Sequence, residues 1–177
     1  MTRKILDLGC GKKKRPGSIG VDYSDRHDPD VVHDLNIFPY PFEDNEFDQI
    51  YLDNVLEHLD HPIRVMEEVY RICQVGGHVK VIVPYFRSVW AYIDPTHKHF
   101  FTVDSFAYYD PRHIICQRYD YTDARFLVEK IVFDETLDIR WTKRLVVKFA
   151  NKYSHKYEFF LSHFYPLDDI TYYLQKC

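Results

Sequence analysis

Residues 4–25 read "KILDLGCGKKKRPGSIGVDYSD". Two short apolar runs, residues 3–8 and 19–23, are bounded by Gly, Pro and Asp, the pattern of buried strands. Gly9 and Gly11 follow the first run, where glycine lets a backbone approach a ligand closely or adopt positive φ. In open α/β sheets the ligand crevice lies outside the carboxyl ends of the strands. Asp22, ending the second run, suits the two ribose hydroxyls of a nucleoside by accepting both hydrogen bonds.

Further strands are expected at 31–33, at 47–52 ("FDQIYLDN") and, after a helix, at "HVKVIVP". The helix lies in "HPIRVMEEVYRICQVGGH", with Pro62 in its first turn, an apolar stripe from Ile63 to Cys73, and Gly76-Gly77 as its stop. Strand, helix, strand with apolar strands argues for a parallel sheet in an α/β fold. "LNIFPYPFEDNE" reads as loop and "TVDSFAYYD" as a short helix capped by Thr102 or Asp104. "ARFLVEKIVFDETLDIR" reads as a strand with a hairpin partner, 141–163 as helical, and "DITYYLQK" as a last strand. The 177 residues fit one domain, divided here into a cofactor-binding half (1–86) and a substrate-side and covering half (87–177).

A dinucleotide fingerprint needs a third glycine opening a helix, and "KKKRPG" supplies neither. A phosphate-binding loop ending in Gly-Lys-Ser/Thr is absent too. The second strand end points to a nucleoside instead, and Asp34-Leu35 could bracket an adenine ring. "LDNVLEH" brings a fourth strand end to the same crevice.

These residues resemble the class I S-adenosylmethionine-dependent methyltransferases. "ILDLGCG", "GVDYSD", "DLNIFPYPFEDNEFDQIYLDNVLEHLDHP" and "VYRICQVGGHVKVIVPYF" match that family's segments in order over residues 4–86. The resemblance implies a Rossmann-like, seven-stranded, mostly parallel sheet with one antiparallel strand. It implies S-adenosylmethionine as cofactor, with S-adenosylhomocysteine as product. Carried over, Asp7, Gly9 and Gly11 line the methionine end, and Asp22 holds the ribose with Tyr23 beside it. Asp34 and Leu35 flank the adenine. Asp53 and Asn54 close the methionine side, with His58 near the site.

The chain departs from the family in its shortened crossovers between the first three strands. A parallel crossover takes about a dozen residues or more, and only Gly9 to Ser18 stand between the first two strands. Parallel sheets need cover on both faces. The C-terminal segment, or a second copy in a homodimer, is therefore expected to cover a helix-poor face.

On the substrate side, "IDPTHKHFF" resembles a segment of bacterial methyltransferases associated with polysaccharides and other sugar-containing metabolites. Asp94 and His97 could form a carboxylate-oriented base, with His99 a second candidate, since His is the commonest general base. The same Asp94, His97 and His99 could instead bind a divalent metal or only hold a loop; the reading taken is the base, without a metal. Tyr85, Phe86, Trp90, Tyr92, Phe100, Phe101, Tyr108 and Tyr109 could wall an acceptor pocket or fill the core. The basic run Lys12 to Arg15 could recognise a phosphate or sit in solvent.

A net charge of -4 argues against nucleic acid as the bulk electrostatic partner. A small-molecule acceptor, methylated on oxygen, is the expected substrate. RNA methylation is the alternative enzyme reading, and a non-catalytic cofactor-binding subunit the alternative of another class. The four cysteines form no CxxC pair, and no apolar run approaches the ~20 residues of a spanning helix. A reducing cytoplasm is the expected location.

Overall fold

The computed structural model describes residues 3–134 and 141–177. Its elements are β1 (Ile5–Leu8), β2 (Ile19–Asp22), β3 (Val31–Val32), β4 (Phe47–Asp53), α1 (Pro62–Ile72), β5 (Cys73–Pro84), α2 (Trp90–Ile93) and α3 (Ile114–Arg118). They continue with β6 (Phe126–Phe133), α4 (Trp141–Lys152), α5 (Ser154–Lys156), a π-helical turn (Tyr157–Leu161) and β7 (Asp169–Lys176). One sheet runs β3-β2-β1-β4-β5-β7-β6, with β7 antiparallel to both of its neighbours and the other pairings parallel. The expected seven-stranded sheet with one reversed strand is present.

The register explains how the sheet manages without its first helices. One row, Ile19, Leu6, Ile50, Val79, Leu174 and Val128, runs across the strands; the next on that face is Val21, Leu8, Leu52, Val81, Tyr172 and Ile131. Both rows belong to the main core, which also takes Val65, Met66 and Val69 of α1, Val147 and Ala150 of α4, and Tyr157. The row between them faces the other way: Gly20, Asp7, Tyr51, Lys80, Tyr173 and Lys130. Lys80 and Lys130 lie over the Tyr173 ring at 5.2 and 5.5 Å, and the Arg15 guanidinium covers Tyr51 at 3.9 Å.

The C-terminal helices contribute Val147, Ala150 and Tyr157 to the same core as α1. Cover is needed where a face is apolar. On that face Gln49, Tyr51, His78, Lys80, Tyr173 and Gln175 are polar or amphipathic and partly or fully exposed, while the row Ile82, Thr171 and Val132 nearer the strand ends is buried.

Two local expectations are corrected. Gly76-Gly77 do not stop α1. The helix ends at Ile72 because the amides of Asn45 and Glu46 take the carbonyls of Arg71 and Ile72 (2.9 and 2.8 Å), and Cys73 already pairs with Phe47. Residues 102–110 form successive turns instead of a helix: the Thr102 amide donates to Ser105 Oγ (2.8 Å), reversing the expected cap. The sheet neighbour of β6 is β7, and residues 135–140 of the expected hairpin partner lie outside the described residues.

Candidate active site

Strand ends β1, β2 and β4 and the turn after β3 meet around a cavity of about 520 Å³. Gly9, Asp22, Tyr23, Asp34, Leu35, Asn54 and His58 line it, together with Asn36, Val55, Leu59 and Thr96. Seven residues singled out in the sequence are thus brought together. Asp7, Gly11 and Asp53 stand behind the wall rather than in it. Gly9 is required: its φ is +70°, and a Cβ there would lie 1.9 Å from Val55 Cγ2.

Asp22 is 6% exposed, and its carboxylate already accepts two backbone bonds: Gly11 N–H to Oδ2 and Ser24 N–H to Oδ1, both 3.0 Å. A carboxylate offers about four acceptor positions, so about two remain for a ligand's vicinal hydroxyls. Asp34 Oδ1 accepts from the amide and side chain of Asn36 (2.9 and 3.2 Å), and Asn36 Oδ1 takes the Asp60 amide (2.8 Å). The donor set and the volume fit a nucleoside.

Asp7 accepts the Arg15 amide at 2.9 Å, and burial pushes its carboxyl above the ordinary range. The Arg15 side chain pairs with Asp53 and stacks on Tyr51, while Lys14 pairs with Asp30 (2.9 Å). Half of the basic run is therefore structural. Its ion pairs tie the short β1–β2 connection to β4 and to the turn before β3.

The loop after α2 docks on the turn that follows β4. The amides of Lys98 and His99 donate to the Glu57 carbonyl (2.8 and 3.3 Å), His99 Nε2 bonds the Leu59 carbonyl (2.9 Å), and Lys98 pairs with Asp60 (2.6 Å). Asp94 does not orient His97. Its Oδ1 is taken by Thr96, from the amide at 2.8 Å and Oγ1 at 2.6 Å. An aspartate two residues before a threonine bonds it locally at lower entropic cost than it reaches a more distant ring. The carboxylate that faces His97 is Glu57, with Oε1 4.0 Å from Nε2. Sequence reasoning missed Glu57, which stands in "VLEHL" among apolar residues; a charged residue in such a run is the available signal.

Burial, and the charges of Asp169 and Asp94 beyond it, push the Glu57 carboxyl up to about 8. Burial and then the neighbouring His97 hold His58 below the usual imidazole range. A neutral imidazole on the wall of a nucleoside-sized cavity can accept a proton or a cation.

Of the aromatic set, Tyr85, Phe101 and Tyr109 are core, while Trp90, Tyr92 and Phe100 are exposed, with the last two stacked at 4.9 Å. Among the described residues no helix is long and apolar enough to cross a membrane.

Residues 6–81 match a family model described as a methyltransferase domain. No curated protein matches the chain. The fold is similar to that of a SAM-dependent methyltransferase from Archaeoglobus fulgidus: 20% identity over 98% of this chain and 86% of that one, TM-score 0.59. A second similar structure is an S-adenosylmethionine-dependent methyltransferase from Mesorhizobium loti, at 14% identity, 98% and 91% coverage, and TM-score 0.60. The [4+2]-cyclase SpnF shares the fold as well, at 14% identity, 98% and 74% coverage, and TM-score 0.59. Fold alone does not fix a reaction, so the acceptor must be argued from the site.

Proposed function

We propose that this S-adenosylmethionine-dependent methyltransferase acts on a small molecule, methylating an oxygen of a sugar-derived or glycosylated acceptor. When bound, the cofactor supplies an electrophilic methyl carbon on a sulfonium. The chain's part is to hold it, align the acceptor and exclude water.

The observation that supports this reading is one cavity wall that Gly9, Asp22, Asp34 and Leu35 share with His58, whose imidazole is held below its usual range by burial and then by His97. Asp22 holds the ribose, with Tyr23 beside it, and Asp34 and Leu35 flank the adenine. Gly9 opens the methionine end, supported from behind by Asp7, Gly11 and the Arg15–Asp53 pair, with Asn54 closing it. The acceptor's proton is handled at the cluster of Glu57, His58 and His97. Asp94 acts on that cluster through Thr96, and His99 holds the loop in place. The exposed rings of Trp90, Tyr92 and Phe100 offer flat faces of the kind that stack on sugars. The 1–86 and 87–177 halves keep their cofactor and acceptor roles in this proposal.

The test is release of S-adenosylhomocysteine when the protein and cofactor meet a panel of hydroxylated sugar derivatives. Turnover that His58→Ala abolishes supports the reading. Turnover only with structured RNA overturns it.

A homodimer on the helix-poor face belongs to the same proposal. Such a dimer would bury Gln49, Tyr51, His78 and Lys80, which line a shallow depression of about 150 Å³ there, so it would be wet and weak. Sedimentation velocity reads it, and a monomer at high micromolar concentration refutes it.

A further inference from the structure

Glu57 is 1% exposed, and neither carboxylate oxygen has a hydrogen-bond partner. Leaving a buried carboxylate without partners costs several kcal/mol. The groups that face it are imidazoles, and their tautomers can be read from their other bonds.

His97 Nδ1 lies 3.1 Å from the Ala91 carbonyl. A carbonyl only accepts, so Nδ1 carries a proton, and in the neutral ring that tautomer leaves the lone pair on Nε2, toward Glu57. His58 Nδ1 lies 2.8 Å from Thr96 Oγ1, whose own hydrogen is committed to Asp94. His58 Nδ1 is therefore the donor, and its Nε2 keeps a lone pair too. The rings meet edge to face at 4.7 Å. One ligand atom from each of Glu57, His58 and His97 lies within 4.8 Å of the others.

Electron-pair donors converge here, and no protein group donates to the carboxylate. We propose that Glu57, His58 and His97 bind a divalent transition-metal ion beside the cofactor cavity. Two imidazoles and one carboxylate suit zinc, manganese, iron(II) or cobalt better than the all-oxygen shells of calcium and magnesium. Each histidine has the outer bond that metal-binding histidines usually have: one to a backbone carbonyl, the other through Thr96 to Asp94. The burial that raises the Glu57 carboxyl is offset when a cation replaces the proton. Bonds of about 2.0–2.1 Å place tetrahedral ligands about 3.3 Å apart, so the three side chains close inward on binding.

Three protein ligands leave a coordination position open, as in catalytic zinc sites. His58 and Thr96 are part of the cavity wall, which places that position toward the acceptor. A hydroxyl ligated there becomes more acidic and loses its proton to water at the cavity mouth. This deepens the proposed function and rests on it for the chemistry; the metal site itself stands on the geometry alone.

The test is cobalt(II) titration of chelator-treated protein, followed by visible ligand-field absorption and calorimetry, with neither cofactor nor acceptor present. The expected result is one ion per chain. Glu57→Gln and His97→Gln should each weaken binding by about 100-fold or more, and Thr96→Val by about 10–100-fold. His78→Ala, on the helix-poor face, should leave it unchanged. Thermal melts confirm that each variant is folded, and His58→Ala, at a partly exposed position, provides a further ligand variant. No ligand-field bands in the wild type, or bands that survive in Glu57→Gln and in both histidine variants, overturn the proposal. Binding of S-adenosylhomocysteine, measured separately, reports on the cofactor reading whichever way the metal result falls.

Discussion

Replacing Asp22 by Ala should separate its two duties, and the size of each can be worked out. Its carboxylate accepts from Gly11 and Ser24 and has about two acceptor positions left for the ribose. A hydrogen bond to a charged group contributes about 1.5–3 kcal/mol. Two lost ribose bonds therefore remove about 3–6 kcal/mol, weakening S-adenosylhomocysteine binding by roughly 10²- to 10⁴-fold. The Gly11 and Ser24 amides also lose their partner, at a cost of about 1–3 kcal/mol each where water cannot reach them. For a chain of this size each kcal/mol lowers the melting temperature by roughly 2–4 °C. Calorimetric titration well below the melting temperature of the variant isolates the affinity term. Asp22→Asn keeps one acceptor oxygen and should fall between Ala and wild type. A folded Asp22→Ala protein that binds S-adenosylhomocysteine within threefold of wild type would refute the assignment.

Gly9→Ala should destabilise more than Gly11→Ala. Both have positive φ, but only at Gly9 does a Cβ strike Val55; overpacking adds about 1–3 kcal/mol, and equal thermal shifts would contradict this. Arg15→Ala removes the Asp53 pair and the stacking on Tyr51. A loss of about 1–2 kcal/mol in urea unfolding is expected, and an unchanged midpoint would remove Arg15 from the support of β4. Asp169→Asn should stabilise the protein at higher pH. Burial, then Asp134 and Asp168, push its carboxyl up to about 6 from 3.8. The native state thus holds a proton that the unfolded chain has released, and wild-type stability falls as pH rises from about 4 through 6. Melts of the two proteins should converge below pH 4 and separate above pH 6; parallel curves would rule this out.

The strands along the chain, the turn after β1 and most of the cavity wall were legible because they depend on local chemistry at fixed offsets. A glycine turn after β1 and a carboxylate at the end of β2 work wherever a parallel sheet delivers them. The brevity of "KKKRPGSI" likewise announced a missing helix. The polar alternation in "FDQIYLD" and "TYYLQK" was also on view, but it declares an open face only once the register aligns Tyr51, Lys80 and Tyr173 in one row.

Histidine partners follow a different rule. Asp94 and His97 are near neighbours in sequence, yet the aspartate bonds Thr96, and His97 faces a glutamate 40 positions earlier in the chain. Sequence determined which side chains a short turn could offer. Only the docking of the loop on the turn after β4 decided which of them meet, because burial and a partner's reach are properties of packed surfaces and not of spacing.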